Sequence, residues 1–201
     1  MANLSLYTTT AFLLLDSDGD RVISKYYQPP HAANAPTGQQ AGLQGPPQLS
    51  AKNPFPTVKE QKSFERAVWE KTRKSTGDIL LYDSHLVLFR PSLDVTLYVI
   101  GPGDENPLML SGLMSAIYDS ISLLLRGQVE KRAILENLDL VTLAIDECVD
   151  DGIILETDST AIASRVSRPR PDVTELQINE QTIMNAYSTL RDKVAQRILQ
   201  S

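Results

Sequence analysis

One cysteine, Cys148, together with two histidines and one tryptophan in 201 residues, excludes several chemistries before any pattern is read. A lone cysteine builds neither an internal disulfide framework nor a cysteine-based zinc site, which fits a reducing cytosol. A basic excess is also missing: 19 Lys and Arg stand against 25 Asp and Glu, a formal net charge of −6. A wholesale nucleic-acid binder has the opposite balance. Long apolar runs are absent as well. The longest, Ala11 to Leu15, is too short for a signal core or a membrane span, and no basic stretch precedes it. Ala2 in place of glycine, and an end in Leu199-Gln200-Ser201, lead us to expect no lipid anchor. Membrane contact is expected only through a partner.

What is present is the apolar content of an ordinary globular protein, 42% hydrophobic with 22% charged residues. The length suits one compact domain plus extra segments, large enough to fold without metal or disulfide staples. Leu4 to Leu15 and Arg21 to Tyr27 read as two antiparallel strands about Asp16-Ser17-Asp18-Gly19-Asp20, where Asp-Gly supplies the positive φ of a tight hairpin. Gln28 to Phe55 holds six of the twelve prolines, three of the ten glycines and Lys52 as its only charge, so it is expected to be an insertion loop that builds no core.

Thr57 with Glu60 forms a capping-box pattern ahead of Phe64, Ala67 and Val68, which predicts a helix over about 57–75. Ile79 to Tyr82, His85 to Arg90 and Leu93 to Ile100 follow as a meander of three strands, the last alternating Leu93, Val95, Leu97 and Val99 on one side. Asn106-Pro107 is an N-cap followed by proline at the first helical position. It opens a long core helix whose face carries Leu110, Leu113, Met114, Ile117, Ile121 and Leu124 up to Arg126-Gly127. Leu138, Val141, Ile145, Cys148 and Val149 mark a second helix ending at Asp151-Gly152, and a short helical stretch is expected near Thr160. The order is β-β-α-β-β-β-α-α. A five-stranded antiparallel sheet in that order needs cover on both faces, so the expected fold is an α/β (α+β) three-layer sandwich. The domain is expected to end at residue 166, with a linker over 167–175. In 176–201, Ile183, Tyr187, Leu190, Val194 and Ile198 share one apolar face of a terminal amphipathic helix.

No pattern supplies catalytic machinery. Asp16-x-Asp18-Gly19-Asp20 has a calcium-loop flavour, but the required glycine and glutamate positions hold Arg21 and Tyr27, so turn chemistry accounts for it. Gly101-Pro102-Gly103 lacks the third glycine and any following lysine of a phosphate loop and reads as a connection. Asp83, Ser84 and His85 are consecutive, and alternate strand side chains point to opposite faces, so they read as a turn serine and an edge histidine rather than a triad. Cys148 sits on an apolar stripe as a structural thiol. No cofactor or metal is expected.

Charge is uneven. Glu130 to Asp158 has a local net of −7, including Asp146, Glu147, Asp150 and Asp151, and is either a face for a basic partner or a solvating face. Trp69, off the helical stripe, is either a core flank or an interface anchor.

Three runs together carry a family resemblance: Leu13-Leu14-Leu15-Asp16-Ser17-Asp18-Gly19-Asp20-Arg21-Val22-Ile23-Ser24-Lys25-Tyr26-Tyr27, then Phe64-Glu65 through Trp69-Glu70-Lys71-Thr72, and Asp139 to Asp151 continuing into Gly152-Ile153-Ile154-Leu155-Glu156-Thr157. With them the chain resembles the longin-like small chains of vesicle adaptor complexes, the coatomer zeta type in particular, over residues 4–166. The resemblance implies a longin-like fold and a non-catalytic cytosolic subunit paired permanently with a large γ-type solenoid partner. It further implies a heteroheptameric coatomer coat, recruited to Golgi membranes by an Arf-family GTPase for retrograde transport to the endoplasmic reticulum and within the Golgi. The interface is expected to draw on Trp69, Asp146, Glu147, Asp150, Asp151, Ile183, Tyr187, Leu190 and Val194, the last four docking either onto the large subunit or back onto the domain. The rival readings are a free longin-type regulator of a SNARE or small GTPase, and a small-molecule domain on a similar scaffold, which would need a polar pocket with a perturbed base.

Overall fold

The structure, a computed structural model, describes residues 5–28, 54–75 and 77–167. The expected terminal helix, with Ile183, Tyr187, Leu190 and Val194, and most of the insertion lie outside the described residues.

β1 (Ala11–Asp16) and β2 (Arg21–Tyr26) form the first hairpin, α1 (Val58–Thr72) follows, and β3 (Ile79–Tyr82), β4 (His85–Pro91) and β5 (Val95–Pro102) form the meander. The five strands lie in the order β2-β1-β5-β4-β3 with every neighbour antiparallel. Because β1 lies between β2 and β5 in a sheet covered on both faces, all six of its residues are buried, and successive side chains feed opposite layers. Leu13 and Leu15 join Phe64, Val68 and Trp69 of α1 on one face, while Phe12 and Leu14 join the later helices on the other. The sandwich therefore has the three layers expected.

The first strand is shorter than the apolar run predicts. Tyr7 bridges Ile153 and Thr9 N–H donates to the Gly152 carbonyl at 3.0 Å, so the residues before Ala11 are held by another part of the chain. The hairpin is also not a minimal Asp-Gly turn. Only Gly19 has positive φ (82°), and the register shifts between Leu14 and Leu15. Leu93 does not continue the alternation of β5 but sits exposed in the preceding turn, and Gly101-Pro102 completes β5 rather than connecting it.

α1 starts as its capping box dictates, with Thr57 Oγ1 accepting from Glu60 N–H at 3.3 Å and Glu60 Oε2 accepting from Thr57 N–H at 3.0 Å. Phe55 is not loop surface: it is buried in an aromatic cluster, its ring 5.3 Å from Tyr26 and 4.5 Å from Phe64. An aromatic residue at the end of a polar segment has a core to enter once the flanking strands are in place.

α2 (Pro107–Leu124) begins with Asn106 Oδ1 accepting from Leu108 N–H at 3.0 Å, and Gly127 N–H closes its end on the Ser122 carbonyl at 2.7 Å. α3 (Lys131–Glu136) is a helix that periodicity missed, since six residues give no repeat to read. It is fixed by Asp94 Oδ1, which accepts from Lys131 N–H at 2.8 Å, and by burial of Ile134. α4 (Leu138–Cys148) follows as expected and runs into a small hairpin, β6 (Val149–Asp150) and β7 (Ile153–Ile154), before α5 (Ser159–Val166). Asp151 (φ 48°) and Gly152 (φ 88°) form its two-residue turn, so Asp-Gly starts a hairpin here and does not merely stop a helix. Gly152 also packs where a Cβ would lie 2.6 Å from the Thr9 carbonyl oxygen.

Candidate partner-binding surface

Most of the polar groups that the sequence offers as reactive are engaged inside the chain. Asp16 is buried, and its Oδ1 accepts the amides of Asp18 (3.0 Å) and Asp20 (2.8 Å) while Oδ2 pairs with Lys131 Nζ at 2.8 Å. Burial alone would raise the Asp16 carboxyl, but the Lys131 hydrogen bond and the two amides outweigh it and hold the group below the usual carboxylate range. The acidic turn is thus a tie from the first hairpin to α3, and not simply a solvated loop. Position 16 has acidic turn residues all around it, so sequence spacing gives no hint of a lysine 115 residues away.

His85 is not on an edge strand: β4 lies between β3 and β5. Its Nδ1 is 2.6 Å from the Asp83 carbonyl oxygen and its ring packs 5.2 Å from Phe55 and 5.7 Å from Phe64, so it is not poised against Ser84. At Gly101 a Cβ would stand 2.7 Å from the Thr8 carbonyl oxygen, and at Gly103 it would stand 2.7 Å from that of Ser84, to which Gly103 N–H also donates. These glycines serve close backbone packing, and that amide is already occupied. Burial pushes the Cys148 thiol up to about 12, which keeps it protonated and unreactive at neutral pH. Among the described residues no cluster of His, Cys, Asp and Glu could hold a metal.

The expected interface residues fall into three groups. Trp69 is buried: its indole presses on Gly19 so closely that a Cβ there would be 2.6 Å away, and Arg66 and Arg73 lie over its ring at 4.6 and 4.8 Å. It clamps the β1–β2 turn to α1. Asp146 pairs with Lys25, and Glu147 with Arg165 at 3.3 Å, the same guanidinium that reaches Glu156 at 3.0 Å. Amides of Asp158 and Thr157, with Arg165 behind them, hold Glu156 below its ordinary range. Asp150 and Asp151 are exposed and form no ion pair among the described residues. Folding therefore neutralises part of the acidic run by bringing Lys25 and Arg165 to it.

A second buried network was not anticipated. Glu65 on α1 receives Arg21 through Nε (3.0 Å) and Nη2 (2.6 Å) and also accepts from Tyr26 Oη at 2.8 Å. A polar position in the middle of a helix gives no sign of being buried until β2 is placed beside it. Beyond it, a cavity of about 340 Å³ opens between the β1–β2 turn and the end of α1, lined by Trp69, Arg73, Asp78, Phe89 and Tyr98 among others.

A five-stranded antiparallel sheet covered on both faces is the three-layer sandwich expected of a longin-like small chain. The match to known families agrees: the model of the clathrin adaptor complex small chain covers residues 50–171. Coatomer subunit zeta of Saccharomyces cerevisiae is 39% identical over 201 residues, spanning 100% of this chain and 99% of that protein. Human coatomer subunit zeta-1 is 36% identical over 195 residues (97% of this chain, 95% of the relative), and zeta-2 of Arabidopsis thaliana is 35% identical over 191 residues (93% of each). In structure, one chain of a homology model of the full-length AP-3 complex in a stretched open conformation superposes with a TM-score of 0.53 at 14% identity, covering 92% of this chain and 98% of that one. The chain belongs to the clathrin adaptor complex small chain family and, within it, to the coatomer zeta subunits, which are non-catalytic small chains of a vesicle coat.

Proposed function

We propose that this protein pairs permanently with a large γ-type coatomer subunit and works as a binding component, without catalysis, of the heteroheptameric coat. In this reading it is cytosolic, peripheral on Golgi membranes and coated vesicles through the coat, and recruited indirectly by an Arf-family GTPase for retrograde and intra-Golgi transport. The observation that carries the reading is 39% identity maintained along the whole length of a coatomer zeta subunit. Internal engagement of His85, Cys148 and Asp16 supports a binding role over turnover. We extend the proposal to the division of the chain into a small-chain domain (1–166), a linker (167–175) and a terminal helix (176–201). Asp150 and Asp151 then face the partner from the domain, and Ile183, Tyr187, Leu190 and Val194 from the terminal helix.

The test is co-expression with a γ-type trunk and light scattering on a sizing column. A 1:1 complex that persists at nanomolar concentration is the expected result, and Tyr187→Ser with Leu190→Ser weakens it. A monomer that ignores the trunk would instead favour a free longin-type regulator.

A further inference from the structure

The corner of the sheet at β3 differs from the rest of the surface. β3 is an edge strand whose sequence, Ile-Leu-Leu-Tyr, has neither the charge nor the proline with which edges are commonly protected. Leu80 and Tyr82 pack toward α1, where Lys71 lies over the Tyr82 ring at 5.1 Å. Ile79 and Leu81 therefore project from the opposite face, and they are 48% and 64% exposed. The turn after β3 is docked against the end of β5: Gly103 N–H donates to the Ser84 carbonyl at 2.9 Å, and a Cβ on Gly103 would be 3.3 Å from Leu81 Cδ1. The chain then enters α2 through Leu108 and Met109, 79% and 44% exposed. Leu81 thus lies beside the turn that leads to Leu108 and Met109, with Ile79 two residues along the same face of β3.

The two turns themselves carry acidic groups, while Lys71 lies on the other side of β3, over Tyr82. Asp83 and Asp104, in those two turns, are exposed and form no ion pair among the described residues. The exposed Leu135, one of several exposed aliphatic side chains elsewhere, contrasts with this corner, because Arg132 pairs there with Glu136 at 2.8 Å and Lys131 with Asp16. That surface has no preference for a charged partner, whereas the β3 corner selects against acidic ones and for basic ones. Asp83 (φ 49°) and Ser84 (φ 59°) form the two-residue turn that joins β3 to β4.

We infer that the corner formed by Ile79, Leu81, Leu108 and Met109 is a further docking surface for the large coat subunit, in addition to the residues named above, through a segment with an aliphatic face flanked by Lys or Arg. This rests on the pairing proposed above and names a surface that contributes to it. Burying four aliphatic side chains supplies the affinity, and Asp83 and Asp104 set the register against the basic flanks.

The test uses the full chain co-expressed with a γ-type large subunit, with dissociation constants measured at two salt concentrations and folding checked by circular dichroism. Leu81→Asp and Leu108→Asp are each expected to weaken the pair at least tenfold, and Asp104→Lys about threefold with a flatter salt dependence, while Leu135→Asp binds as the unaltered chain does. If Leu81→Asp fails to fold, Leu108→Asp and Asp104→Lys, at the exposed start of α2 and in its preceding turn, decide the matter. Unchanged binding by those variants overturns this surface while leaving the pairing intact. If the unaltered chain does not bind the large subunit, the pairing itself fails and this surface with it. A self-associated chain that becomes monomeric with Leu81→Asp marks a contact between two copies and overturns the assignment as well.

Discussion

The two faces of the sheet solve the same problem by different means. On one, α2, α3, α4 and α5 meet strands through a mainly aliphatic layer of Leu, Ile and Val, with Phe12 and Cys148 in it. On the other, α1 is the one helix that covers the sheet among the described residues. A single helix is about 10 Å wide and cannot span five strands spaced about 4.8 Å apart. That face is completed by large rings (Phe55, Phe64, Trp69, Tyr98) and by directional ties: Glu65 to Arg21 and Tyr26, and Thr72 Oγ1 to Tyr98 Oη at 2.9 Å. It still leaves the cavity beside Trp69. Cover by number permits plain aliphatic packing, whereas cover by one helix demands aromatics and polar clamps.

The sharpest way to break this comparison is to remove one large side chain from each face. Phe64→Ala is expected to cost about 4 kcal/mol and Ile117→Ala about 3 kcal/mol, measured by urea unfolding. Phe64 loses ring contacts to Phe55 (4.5 Å) and Tyr82 (5.8 Å) that no neighbouring helix can slide in to replace. Equal losses would mean that the single-helix face is not the more demanding one.

Next in size is Glu65→Gln, expected to destabilise by about 2 kcal/mol because Arg21 stays partly buried without its carboxylate. Adding Arg21→Met should recover part of the loss, and failure to do so would show that Glu65 acts through packing alone.

A smaller effect appears in the acid limb of stability. The folded Asp16 carboxyl lies below its ordinary 3.8, so its contribution is present above that value and is lost as pH falls through the lower folded-state value. Asp16→Asn should flatten the stability profile below about pH 4 and leave its slope near neutrality unchanged, as read from thermal melts across pH.

The smallest effect is expected on the outer surface of α2. Gly112 is exposed with open space where a Cβ would be, so Gly112→Ala should stabilise by about 0.7 kcal/mol, visible as a raised Tm. A loss instead would show that this part of α2 has a conformational demand that its geometry does not reveal.

Much of the architecture was legible because it rests on local chemistry. The Thr57–Glu60 capping box, Asn106-Pro107 ahead of α2 and the alternation of Val95, Leu97 and Val99 in β5 are short-range patterns. The family run from Asp139 to Thr157 was equally readable. α3 and the β6–β7 hairpin escaped because six residues and paired dipeptides carry no period. For the candidate surface, residue type pointed to the acidic run but not to which of its acids folding would pair: Asp146 and Glu147 are paired, while Asp150 and Asp151 are not, among the described residues. Trp69 was poised between core and interface until Gly19 was seen beneath it.

The sequence by itself determined where α1 and α2 start, that the sheet needs cover on both faces, and the family, since all of these follow from residue type and spacing along the chain. Tertiary structure alone decided which charges remain free. Lys25 reaches Asp146, Arg165 reaches Glu147, and Lys131 reaches Asp16 across gaps of 121, 18 and 115 residues. Electrostatic pairing depends on distance in space, and a linear count of acids and bases contains none.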